Sequence, residues 1–231
     1  MTSSPLMPQT GGFDQRDAAE DHRYDAVNNL AEAAIGQTDL DLIALLGSRL
    51  CHDLISPMGA IGNGVELMAM SGGPMSPELQ LIAQSVNAAN ARLKFFRVAF
   101  GQASPDQRLG APEIRNLLRD MAQTGRLTYD WRAEGDHARR VVKLCFLSLL
   151  CLETALPWGG AVSLNEESGH WAITAQTKKT KQDPAIWATL NGDPASVSPS
   201  QIQFALLAKE AARLGRQLAW TVGEDHAQIL L

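Results

Sequence analysis

Cysteine is scarce in this chain of 231 residues: Cys51, Cys145 and Cys151 are the whole complement. An odd set with no paired Cys/His spacing supports neither a disulfide framework nor a zinc site, and it points to a reducing, cytoplasmic setting. Long hydrophobic runs are also lacking. The greasiest stretch, residues 141–152, is interrupted by Lys143 and closed by Glu153, well short of the roughly 20 apolar residues a membrane span needs. The first residues carry neither a basic nor an apolar signal segment, so no membrane partner and no secretion signal are expected. Basic excess is absent too, with 20 Lys and Arg against 25 Asp and Glu. Such a balance argues against nucleic acid as a partner.

What is present is 45% apolar residues, enough for ordinary buried cores. Residues 1–37 hold six acids against two bases and little periodicity. They read as an acidic, mobile tail, with a marginal helix at 24–35. Helical periodicity then runs from about 39 to 70. At roughly 100° per residue, Ile43, Leu46, Leu50, Leu54, Pro57, Met58, Ile61, Val65 and Met68 gather on one arc. His52 falls opposite, among Leu45, Ser48, Arg49, Ile55, Ser56, Gly59 and Asn63, a mostly small or polar face. A histidine so placed points outward and has an acidic neighbour, Asp53. That suits a nucleophile meeting a bulky partner better than a core residue. Pro57 removes the amide bond to the Asp53 carbonyl, and a kink is expected there.

A loop at 71–74 and the start signal Ser76-Pro77-Glu78 open a second helix with a seam of Leu79, Ile82, Val86, Ala89, Leu93, Phe96 and Phe100, ending near Gly101. Two such helices form a hairpin that cannot cover its own apolar arcs, so either a second copy, making a dimeric four-helix bundle, or the following domain covers them. After a linker at 102–107 the pattern becomes mixed. Helices are expected at 112–123, 139–156, 184–190 and 198–215, and strands at 127–132, 161–165, 171–176, 217–222 and 228–231. The fold class is therefore α+β, a helical hairpin followed by an α/β sandwich. The divisions are a tail at 1–37, a helical hairpin at 38–104 and a sandwich at 108–231.

The segment His52-Asp53-Leu54-Ile55-Ser56-Pro57 resembles the His-acidic-x-x-x-Pro box of histidine-kinase dimerisation domains. Together with Ser48-Arg49-Leu50-Cys51 and the Gly-Ala-Ile-Gly-Asn-Gly run ending at Gly64, it is similar to the histidine phosphotransferases of the ChpT type from alphaproteobacterial phosphorelays. The order of elements in the sandwich likewise resembles the ATP-binding domain of histidine kinases. Yet residues 148–157 contain no magnesium-binding asparagine, the strand at 171–176 leads to no adenine-binding aspartate, and no Gly-x-Gly follows residue 100. A backbone without those glycines cannot close around a triphosphate. The sandwich is expected to be degenerate, with no ATP and no metal or cofactor bound by this chain.

The resemblance implies a homodimer that relays a phosphoryl group between aspartates of response-regulator receiver domains through phosphohistidine at His52. Asp53 would orient the ring or take its proton, and magnesium would be supplied by the receiver. Arg49 and Ser56 would line the reaction site with Ser48, while Leu45, Ile55 and Gly59 would meet the partner. The alternatives are a non-catalytic scaffold that binds receivers and an ATP-dependent histidine kinase. His22, His137, His170 and His226 read as solvated surface residues. Cys51 diverges from His52 by a helical step and makes no catalytic pair with it.

Overall fold

The computed structural model describes residues 37–70, 76–192 and 197–231. The expectations for the tail and for the loop at 71–74 lie outside the described residues. Helix α1, Gln37–Met70, runs for 34 residues and continues through Pro57 without ending. Helix α2, Pro77–Ala99, begins at Ser76, whose hydroxyl accepts from the Leu79 amide at 3.2 Å. Serine before proline satisfies one orphan amide while proline removes another, and so the start falls where the sequence places it.

The row of α1 that packs within the chain differs from the leucine arc. Leu40, Ala44, Cys51 and Val65 are buried, whereas Leu46, Leu50, Leu54, Ile61 and Met68 are 48–59% exposed. Small residues explain the choice. A Cβ at Gly47 would lie 2.9 Å from the Phe100 carbonyl oxygen, and one at Gly62 would lie 3.5 Å from the Val86 side chain. The backbones of α1 and α2 approach along a row where leucine would hold them apart. Gly62 thus meets the chain's own α2. Gly59 and Gly64 have open space where a Cβ would stand.

Beyond the hairpin come β1 (Arg108–Gly110), α3 (Ala111–Thr124), β2 (Leu127–Trp131), β3 (Asp136–Ala138), α4 (Arg139–Ala155), β4 (Gly160–Glu167), β5 (His170–Gln176), α5 (Pro184–Ala188), α6 (Ile202–Arg213), β6 (Ala219–Val222) and β7 (His226–Leu230). Five strands form one sheet in the order β2-β4-β5-β7-β6. Only β2 and β4 pair in parallel, as the crossover through α4 between them requires. Short strands β1 and β3 pair separately; three residues each are too few to show alternation in the sequence. The stretch expected as one helix at 198–215 is a 3-10 turn, Pro199–Gln201, followed by α6.

Helix α4 is buried from Val142 to Leu152. The lysine that interrupts this run, Lys143, meets Glu210 of α6 at 2.6 Å, both nearly inaccessible, so each charge is compensated inside the core. Phe95 of α2 stacks on Phe146 of α4 with ring centroids 4.5 Å apart, joining hairpin to sandwich. Arg92 forks onto the Glu153 carboxylate at 3.1 and 3.3 Å, and Arg213 meets Asp41 at 2.9 Å. Arg139 donates to the Arg97 and Gln102 carbonyls. Gln37–Leu231 accordingly forms one compact unit. No helix among the described residues is long and apolar enough to cross a membrane.

Candidate functional site on helix α1

His52 projects from the middle of α1 with 82% of its side chain exposed. Its Nδ1 lies 3.1 Å from Asp53 Oδ1, and the other oxygen of Asp53 lies 2.7 Å from Arg49 Nε. A spacing of four residues brings Arg49 and Asp53 to one side of the helix. The hydrogen bond with His52, and then the charge of Arg49, hold the Asp53 carboxyl below its ordinary value. An ionised carboxylate only accepts. The hydrogen bond to it thus calls for the proton on Nδ1, and in the neutral ring that tautomer leaves the Nε2 lone pair open.

The neighbours expected around this ring divide into three groups. Leu45, Arg49 and Ser56 are exposed on the same side. Ile55 and Gly59 are half-buried. Ser48 has a structural bond: its hydroxyl accepts from the Gln102 amide at 2.8 Å, tying α1 to the linker. Sequence reasoning passed over Gly47, whose close approach to Phe100 sets how α1 lies on α2. The small residues at 44, 47, 51 and 62, at helical spacing, were the available signal.

The other reactive types are placed differently. Cys51 is buried and its thiol is pushed up by that burial, against the opposing charge of Arg97; it is no nucleophile. His137 corrects the expectation of a solvated residue. Its ring is half-buried against Trp131 and Trp171, with centroids 5.4 and 5.2 Å away, and Nε2 has no partner. His170 is exposed at the start of β5. His226 also bonds an adjacent acid, Asp225, at 2.9 Å, but it lies at a hairpin turn with its ring against Gly223.

Residues 111–226 match the family model described as "Histidine phosphotransferase C-terminal domain". The chain is also 33% identical over 185 residues to the Protein phosphotransferase ChpT of Brucella abortus (strain 2308), covering 75% of this chain and 87% of that one. The chain belongs to the histidine phosphotransferase family. A solved bacterial phosphotransferase superposes with a TM-score of 0.61 at 26% identity, over 84% of this histidine phosphotransferase and 96% of that chain. The family model begins at Ala111, so it covers the sandwich and not α1. The assignment of a particular residue in this phosphotransferase rests on the geometry of the hairpin.

Proposed function

We propose that His52 is the phosphoryl carrier, taking the group from the aspartyl phosphate of one receiver domain and giving it to the aspartate of another. One observation carries this reading: an exposed imidazole on a rigid helix whose Nδ1 is engaged by Asp53 and whose Nε2 is open. In the forward step the Nε2 lone pair forms the N–P bond, the aspartyl O–P bond breaks, and the receiver's carboxylate leaves. The ring then carries positive charge, which the Asp53 carboxylate compensates through the Nδ1 proton. The return step reverses these bonds. Arg49, already oriented by Asp53, is placed to exchange that carboxylate for a phosphoryl oxygen. Magnesium belongs to the receiver in this scheme and neutralises the transferring group there.

The same reading makes the sandwich a docking surface without ATP chemistry. Two features support it. The one acid near the C-terminal end of α4, Glu153, is committed to Arg92. Strand β5 runs out through Gln176, Thr177 and Lys178 without the aspartate and glycines of a nucleotide loop. The bare row of Leu46, Leu50, Leu54, Ile61 and Met68 supports a homodimer in which two hairpins complete a four-helix bundle. Three buried, unpaired cysteines fit action in the cytoplasm.

The test is transfer of label from a phosphorylated receiver to the purified protein. Acid-labile, base-stable label is expected on the wild type and none on His52→Ala. Label acquired from ATP alone would instead identify a kinase, and receiver binding without label would identify a scaffold.

A further inference from the structure

A second polar site lies away from His52, where the first turns of α1, the linker, α4 and α6 converge. It is a cavity of about 320 Å³, at the lower end of the roughly 300–1,000 Å³ typical of small-molecule sites. Asp41, Ser104, Arg140, Lys143, Glu210 and Arg213 line it. Two of the three cations are matched: Lys143 holds Glu210 at 2.6 Å and Arg213 holds Asp41 at 2.9 Å. Lys143 and Glu210 are both more than nine-tenths buried, so this wall is built into the core rather than scattered over a surface.

Arg140 is the odd charge. Its Nε donates to the Ala103 carbonyl at 3.3 Å, and no acid among the described residues forms an ion pair with it. Three cations against two carboxylates leave the cavity one positive charge in excess. Arg140 also stands in the first turn of α4, where the helix dipole adds to that field. A planar guanidinium with its terminal amino groups available is suited to a forked grip on an oxyanion.

We propose that this cavity binds a small molecule through a phosphate or carboxylate group held by Arg140, with Lys143 and the Ser104 hydroxyl as further donors. The bound molecule bridges α4 and α6 to α1 and the linker, so it fastens the sandwich to the hairpin. This site does not depend on the role given to His52.

The probe is inorganic phosphate, with citrate as the carboxylate arm, each titrated against sodium chloride at matched ionic strength. Melting temperature and calorimetric heat are both read on the full chain. A saturable rise in melting temperature is expected with one of the two anions, and which arm responds identifies the group recognised. Arg140→Gln is expected to weaken that binding at least about tenfold, the loss of one forked contact. Ser104→Leu, which fills the cavity from the linker, gives the same result should Arg140→Gln fold poorly. Saturation unchanged in a folded variant, or no saturable response to either anion, overturns the proposal.

Discussion

Replacing Leu50 by Glu tests the proposed two-fold pairing of hairpins most directly. Leu46, Leu50, Leu54, Ile61 and Met68 stand 48–59% exposed on α1, and Leu81 and Ile82 of α2 stand 64% and 47% exposed. Full burial of such a side chain contributes roughly 1.5–3 kcal/mol, so covering its exposed half contributes about 1 kcal/mol. These side chains from both copies together provide on the order of 14 kcal/mol, against an association cost of about 4–15 kcal/mol. Glu at position 50 removes about 1 kcal/mol per copy and adds an unpaired buried carboxylate, costing a further two or more kcal/mol. Both copies change at once, so the loss is at least about 6 kcal/mol, roughly four orders of magnitude in Kd. Sedimentation velocity across a concentration series reads this. The wild type is expected to run as a dimer, and Leu50→Glu as a monomer with unchanged circular dichroism. Leu45→Glu, on the His52 side, is expected to remain dimeric. A wild type that stays monomeric at every concentration, or a Leu50→Glu protein that dimerises as before, refutes the reasoning.

Further outcomes follow from the geometry at Asp53, Glu210 and His137. Asp53→Asn leaves fold and dimer intact, because the side chain is exposed, but slows transfer from a phosphorylated receiver about 10²-fold, the lower range for a positioned acid–base group. With the wild type, transfer shows no inflection from Asp53 near neutrality: its pKa is depressed, so the carboxylate is lost only as pH falls below the ordinary 3.8. Glu210→Leu strands the buried Lys143 charge and is expected to cost about 3–5 kcal/mol in urea unfolding, while Lys143→Met together with Glu210→Leu recovers most of it. His137 has its pKa lowered below 6.5, chiefly by burial. The unfolded state then binds the extra proton more readily, so stability declines as pH falls below about 6.5. His137→Phe should flatten that decline in a pH series of thermal melts.

Much of the architecture was legible because the signals were local. The Ser76-Pro77-Glu78 start is a short-range capping arrangement, and the strands at 127–131 and 170–176 alternate plainly. Lys143 looked like an interruption of a greasy run because its partner, Glu210, is 67 residues away in sequence. His137 looked solvated for the same reason: Trp131 and Trp171, which enclose it, arrive from two different strands.

At the candidate site the outward face of His52, its acidic neighbour and the proline five residues on were determined by sequence alone, since a helix converts spacing into direction. Which apolar row of α1 is buried was decided by the tertiary structure. Periodicity ranks residues by hydrophobicity and favoured the leucine arc, but α2 packs against the small residues at 44, 47, 51 and 62, where backbones approach closely. The leucine row is left bare within the chain, and Arg49 is drawn to Asp53 on the opposite side. Helical phase places side chains around an axis, and only the packing of one axis on another determines which of them remain free to meet a partner.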